Sequence, residues 1–249
     1  MPYPGLSAAQ ILDVADAGAD ADPVSRGTVL LAGTHPEWGA DHVGGLVLGE
    51  RESLLLEIRR ATFGDVLGAR TVCPACGAEL AVEVPAALLR RDGNAGRAAQ
   101  SFELEVGPVS LTIRPPDGAV LARAAAEPDA DSCRLALVAG CIVGAVGGAG
   151  PLDLPELPAE VVAAAGEAIV ERDPRSEVIV ALTCVSCGHD WAAGFDAGLF
   201  LWEELTAMSI RLVDDVDVLA RAYHWSEAEI LAMSSGRRRR YVERVVGDG

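Results

Sequence analysis

The chain contains no lysine, and all twenty of its basic residues are arginine. Against 37 Asp and Glu residues, they leave a formal net charge of -17. A negative field of this size repels phosphate backbones, so the sequence argues against nucleic acid as a partner and favours basic protein surfaces. Aromatic residues make up only 4% of a chain that is 50% hydrophobic, so Ala, Val and Leu must fill its core.

Residues in catalytic arrangements are also missing. The four histidines, His35, His42, His189 and His224, form no metal-ligand pair and accompany no recognisable nucleophile. The run Gly144–Gly150 lacks the Lys-Ser/Thr ending of a phosphate-binding loop, and we interpret it as a linker. The sequence therefore predicts a protein that is not an enzyme and has no small-molecule substrate.

Long apolar runs suited to a membrane are absent as well. The longest uncharged run, Leu135–Leu152, is broken by several glycines and predicts a buried helix over Ser132–Ala145 rather than a membrane span. Cys133 and Cys141 lie on this helix too far apart to be bridged, so we expect free thiols in the core. The first residues do not resemble a secretory signal, which predicts a cytoplasmic protein.

Two Cys-x-x-Cys-Gly motifs are the most informative feature that is present. They comprise Cys73, Cys76, Cys184 and Cys187, and 107 residues lie between Cys76 and Cys184. The two-residue spacer lets both sulfurs of a motif face one centre, and the glycine permits the turn that follows. Four thiolates with no open position predict one structural zinc per chain.

Other uses of paired cysteines remain open at this point. The four sulfurs could instead hold a single iron, as in rubredoxin, form disulfides or act as redox dithiols. His189 directly follows the second motif and could replace one thiolate. Because four cysteines already fill a tetrahedral shell, we expect His189 to be a neighbour of the site and not a ligand.

The segments around both motifs alternate in polarity as half-buried strands do. Glu79–Val84 follows the first motif, and Glu177–Thr183 and Asp190–Phe195 flank the second. Each motif therefore predicts a strand, a metal-binding turn and a second strand. Two such hairpins around one ion form a zinc ribbon, in which the ion replaces the core that so small a β unit lacks.

The spacer between the motifs is too long for a plain loop and predicts a folded insertion with a β-hairpin near Ser101–Arg114 and several helices. The predicted fold class is α+β, mainly helical, with a split zinc ribbon. The predicted organisation is a flexible segment (1–21), an N-terminal helical region (22–70), the split ribbon (71–86 and 177–197), the insertion (87–176) and a C-terminal helical region (198–249).

The C-terminal region has the most regular pattern. An apolar stripe from Leu201 to Tyr223 predicts an amphipathic helix, and Ser226 with Glu229 matches a capping box that starts another. The run Arg237–Arg240 is the one dense positive patch. It could bind nucleic acid, an acidic partner or the acidic surface of its own chain, but it is typical of the solvated first turns of a helix.

Seven short segments follow one another in a distinctive order along the chain. They are Gly49–Glu52, Leu54–Leu56, Phe63–Asp65, Cys73–Gly77, Cys184–Trp191, Phe200–Glu204 and Tyr223–Leu231. Their order resembles that of bacterial relatives of the baseplate hub assembly protein, or chaperone, family of contractile-tailed, T-even type phages, and the resemblance covers about residues 22–246.

This resemblance implies a non-enzymatic assembly factor or minor component of a phage-tail baseplate or contractile injection system. Its expected partners are baseplate, hub or spike proteins, and the protein would be cytoplasmic or part of an assembling particle. The four cysteines carry over as metal ligands. The alternatives are a zinc-ribbon adaptor that binds nucleic acid or serves transcription and, third, a rubredoxin-like redox protein.

Overall fold

A computed structural model describes residues 5–92, 95–147, 150–153 and 157–247 of the chain. Its helices are α1 (Ala8–Ala17), α2 (Pro23–Thr34), α3 (Ala40–Gly45), α4 (Leu48–Phe63), α5 (Ala86–Leu89), α6 (Ala95–Ala98), α7 (Gly118–Ala125), α8 (Ala130–Cys141), α9 (Ala159–Arg172), α10 (Ala197–Tyr223), α11 (Glu227–Leu231) and α12 (Ser235–Gly247). Its strands are β1 (Val66–Val72), β2 (Glu79–Pro85), β3 (Phe102–Val106), β4 (Val109–Ile113), β5 (Ile142–Gly147), β6 (Gly150–Pro151), β7 (Val178–Thr183) and β8 (Asp190–Phe195). A 3₁₀ helix covers Pro174–Ser176. This mixture of helix and sheet is consistent with the predicted α+β class.

The main core is helical and is built from α1, α2, α4 and α10. Leu30, Leu31, Ile58, Leu201 and Leu205 are fully buried in it. The segment predicted to be flexible lies partly in this core, because α1 buries two of its side chains there. Residues 1–4 of that segment lie outside the described residues.

Local capping sets where several helices begin. The hydroxyl of Ser226 accepts from the N–H of Glu229, whose carboxylate accepts from the N–H of Ser226, so the predicted capping box is confirmed. Asp22 caps α2, where Pro23 occupies the first helical turn. The predicted long C-terminal helix is α10, which extends over 27 residues.

A partly buried ion pair joins α4 to α10. The guanidinium of Arg59 donates to both carboxylate oxygens of Glu204 at 2.7 Å. It also donates to the carbonyls of Gly64 at 2.7 Å and Val66 at 3.0 Å, which lie where the chain passes from α4 into β1. One side chain thus holds both long helices and the start of the first hairpin.

The two cysteine motifs each lie at the tip of an antiparallel hairpin, as predicted. Strand β1 pairs with β2, with Val72 opposite Glu79, and β7 pairs with β8, with Thr183 opposite Asp190. The hairpins form two separate two-stranded sheets. The insertion begins where the first hairpin ends, after β2, and it ends where the second hairpin begins, before β7.

The insertion has its own core and a sheet in the order β3-β4-β5-β6, covered by α8 and α9. The predicted hairpin is β3 with β4. The predicted helix over Ser132–Ala145 is confirmed as far as Cys141, where α8 ends, and is wrong beyond it, because Ile142–Gly147 is a strand. The Ile and Val residues of this segment suit a strand, which pairs with β4. The linker predicted for Gly144–Gly150 is also wrong, because the described residues of this range lie in strands. Residues 148 and 149 lie outside the described residues.

The sequence of the arginine run indicates solvated helical turns, but only part of the run is solvated. Arg237, Arg239 and Arg240 are exposed on α12, but Arg238 is buried and donates to Asp215 of α10 at 2.8 Å. The patch therefore binds its own acidic surface at one position. Among the described helices, none has the length and apolar character that a membrane crossing requires.

Candidate metal centre

The structure brings together all four cysteines that the sequence singles out. The sulfurs of Cys73, Cys76, Cys184 and Cys187 lie within 4.8 Å of one another. Cys73 and Cys184 are each 1% exposed, whereas Cys76 and Cys187 face solvent. Cys76 and Cys184 are 108 positions apart in the chain, so the cluster joins two distant segments.

The distances between the sulfurs fit a tetrahedral shell. The Sγ atoms of Cys73 and Cys187 are 3.7 Å apart, as are those of Cys76 and Cys184. Zinc–sulfur bonds of about 2.3 Å place tetrahedral sulfurs about 3.8 Å apart, whereas a disulfide needs about 2.05 Å. The cluster therefore fits a single metal ion, and all six cysteines of the chain are free of disulfides.

Both motifs fold into the same turn. The N–H of Gly77 donates to the carbonyl of Cys73 at 2.9 Å, and that of Gly188 donates to the carbonyl of Cys184 at 2.8 Å. Both glycines have φ of 73°, in the left-handed region that side chains disfavour. The glycine after each cysteine pair is thus required by the backbone turn that aims the sulfurs.

Backbone amides and neighbouring thiols set the acidity of the second cysteine pair. Burial raises the pKa of Cys184, but the N–H groups of Ser186 and Cys187 and the adjacent thiols lower that pKa to about 6. For Cys187 the N–H of His189 lowers the pKa, yet the neighbouring thiols and burial raise it to about 12. Four such thiols do not all ionise unaided, because each thiolate repels the next. A divalent cation removes that repulsion.

The chemistry of the donor set narrows the choice of metal. Four thiolates suit zinc or a single iron and are a poor set for magnesium or calcium, which bind oxygen. Within the described ranges, no His, Asp or Glu joins the cysteine cluster. His189 is exposed, and its ring stacks on Trp191 with centroids 6.2 Å apart.

The remaining two cysteines lie outside the cluster. Cys141 is fully buried in the core of the insertion, and burial raises the pKa of its thiol to about 12. Cys133 is a free thiol, as predicted. It is only half-buried and is not part of that core, so its predicted place in the core is wrong. Neither thiol is near enough to the four clustered sulfurs to be a ligand.

A very small core surrounds the sulfurs, and sequence analysis did not single out its members. Leu80 is buried against Cys73 and Cys184, with Val82 and Trp191 packed beside it. The burial of Leu80 and the partial burial of Val82 could have been predicted from the alternation of polarity along Glu79–Val84. So few apolar side chains stabilise the tips of the two hairpins only weakly, and a metal ion held by the four sulfurs would add the missing contact.

The turn geometry predicts the effect of adding a methyl group. Gly188→Ala should lower the free energy of unfolding by about 1–2 kcal/mol, because alanine at a φ of 73° is strained. Gly194→Ala in β8 is the matched control, since Gly194 has no positive φ and no atom near its added Cβ. Urea denaturation of both variants measures the difference, and equal losses would refute the role assigned to Gly188.

Comparison with known proteins identifies the family. A family model described as "T4 bacteriophage base plate protein" matches residues 34–195, which include both hairpins, the insertion and all four cysteines. Searches of curated proteins and of solved structures found no match. Because the matched region covers well over half of the 249 residues, the chain belongs to the T4 bacteriophage base plate protein family.

Proposed function

We propose that the protein is a non-enzymatic assembly factor or minor structural component of a phage-tail baseplate, in a prophage or a contractile injection system. The observation that carries this proposal is the family match over residues 34–195. The protein would act in the cytoplasm, where particles assemble, through contacts with baseplate, hub or spike proteins. No catalytic residue is assigned.

In this proposal, Cys73, Cys76, Cys184 and Cys187 bind one structural zinc per chain. The sulfur spacing supports it, and four protein ligands leave no open position for a substrate. The ion would join the two hairpins into a split zinc ribbon and close the chain on either side of the insertion. Iron is the less favoured occupant of the same ligands.

Exposed apolar side chains support a role in protein contacts. On α10, Ile210 is 61% exposed and Val213 is 56% exposed, on a helix whose other face is buried in the main core. The strong negative charge keeps such surfaces soluble and favours encounter with basic partners. Four exposed arginines on α12 do not offset that charge, so we expect no DNA or RNA gel shift even at low salt.

Affinity purification tests the proposed role. Tagged protein, produced with its neighbouring genes, should recover baseplate, hub or spike proteins above a tagged, unrelated acidic protein. Deletion of the gene should lower the yield of intact particles. Recovery of none of these proteins, together with intact particles after deletion, would contradict the proposal.

A further inference from the structure

An apolar groove lies between α8 and α9 on the outside of the insertion, with a volume of about 810 Å³. Val138 and Ile169 form its floor, and Leu135 on its wall is 56% exposed. Its other apolar lining residues are Leu48, Pro116, Leu137, Ala159, Val162, Ala163, Gly166 and Val170.

The groove exists because α9 is apolar on two faces. One face buries Val161 and Ala165 in the core of the insertion. A second face presents Ala159, Ala163 and Gly166 at the spacing of successive helical turns, and these residues line the groove. A surface helix needs only one apolar face to pack on its own protein, so the second face is suited to a partner.

Among the described residues, none requires a glycine at position 166. A Cβ at this position would meet only a methyl group of Val138, at an ordinary contact distance of 3.5 Å, and the residue has no positive φ. Glycine inside a helix costs about 1 kcal/mol relative to alanine. The missing side chain deepens the groove where another backbone can approach closely.

Charge identifies the chemistry of the occupant. The charged residues that line the groove are Asp131, Glu167, Glu171 and Glu177, with Arg134 as the one basic member of the lining. These carboxylates stand beside the apolar floor, and the chain as a whole is strongly acidic. An occupant must therefore combine an apolar stripe with basic flanks.

We infer that this groove docks a basic amphipathic helix of a partner protein. The inference rests on the proposed role in protein contacts and names the chemistry of one contact. The apolar face of α9 extends over about three helical turns, which suits a helix of similar length placed between α8 and α9. The apolar stripe of the partner enters the groove, and its Arg or Lys side chains reach the acidic rim.

The test uses a synthetic helical peptide of about fifteen residues, with leucine and alanine on one face and lysine on the other. Fluorescence anisotropy should show binding to the full chain that weakens as salt rises. A peptide with glutamate in place of each lysine should bind at least about tenfold more weakly. Equal binding of the two peptides, or binding of neither, would overturn the inference.

Variants locate the binding to the groove. Ala163→Arg fills it and should weaken binding of the lysine peptide at least about tenfold, whereas Ala122→Arg, on an exposed face of α7, adds the same charge elsewhere. Glu167→Gln with Glu171→Gln should reduce binding and its salt dependence, while Glu160→Gln, on α9 outside the groove lining, should not. Equal effects of Ala163→Arg and Ala122→Arg would refute the site.

The Ala163→Arg variant distinguishes a failure of this inference from a failure of the proposed function. If the Ala163→Arg chain recovers every baseplate protein that the unchanged chain recovers, the groove is not the contact, although the proposed role stands. If the chain instead forms a dimer that Ala163→Arg disrupts, the occupant is a second copy and the inference is wrong. Binding of the peptide without recovery of any baseplate protein would support the groove and count against the proposed role.

Discussion

Replacing Cys184 with serine is expected to release the metal and to lower Tm by roughly 8–20 °C. The proposed metal would link segments 108 positions apart, and a cross-link across about 100 residues stabilises a fold by about 4–5 kcal/mol. In a chain of this size, each kcal/mol corresponds to roughly 2–4 °C in Tm. Thermal denaturation, measured together with the bound metal, checks the expectation.

Cys133→Ser is the matched control for this experiment. Cys133 is a free, half-buried thiol outside the cluster, so its replacement should leave the bound metal unchanged and Tm within a few degrees. Chelation of the metal from the unchanged chain should reproduce the effect of Cys184→Ser. If Cys184→Ser keeps its metal, or has the same Tm as Cys133→Ser, the cluster does not hold the two segments together.

Glu204→Gln is expected to lower the free energy of unfolding by about 2–3 kcal/mol. Arg59 is 3% exposed, and removal of the charge on Glu204 leaves its guanidinium buried without a counter-ion. Breaking a fully buried pair costs about 3–5 kcal/mol, and the 26% exposure of Glu204 reduces that cost through solvent screening. Urea denaturation gives the value directly.

The adjacent residue supplies the control for the ion pair. Glu203 is exposed on the same turn of α10, so Glu203→Gln should change stability by less than about 0.5 kcal/mol. A loss confined to Glu204→Gln would show that the pair between α4 and α10 stabilises the main core. Equal stability of the two variants would contradict that role.

The sequence predicted most accurately those features that local chemistry determines. The spacing of each Cys-x-x-Cys-Gly motif requires a turn, and the alternating polarity on both sides requires strands, so both hairpins were predicted. The capping box at Ser226 was predictable because its hydrogen bonds join residues three positions apart. The family relation was predicted from the order of such motifs along the chain.

Features that depend on distant partners were not predictable in this way. The segment Ile142–Gly147 continues the uncharged run of α8 with no polar residue to mark a boundary, and it becomes a strand by pairing with β4. The bond between Arg59 and Glu204 joins residues 145 positions apart, with no local signal in either segment. The sequence does not distinguish Arg238 from the three arginines beside it, and its bond to Asp215 is known only from the fold.

The groove between α8 and α9 shows a third kind of limit. The sequence of α9 gives a helix with many small apolar residues, but periodicity does not say which of two apolar faces the core covers. The structure decides this by burying Val161 and Ala165 and leaving the face of Gly166 in the groove lining. The second face is then recognisable as a candidate contact surface.

Elemental analysis of the purified protein measures the metal bound by the cysteine cluster. If Cys73, Cys76, Cys184 and Cys187 bind one structural zinc and so join the two distant hairpins, the unchanged protein and Cys133→Ser should each contain close to one zinc per chain. Cys184→Ser should contain none. One iron per chain, or metal-free protein whose four sulfurs are paired as disulfides, would contradict the proposed zinc site.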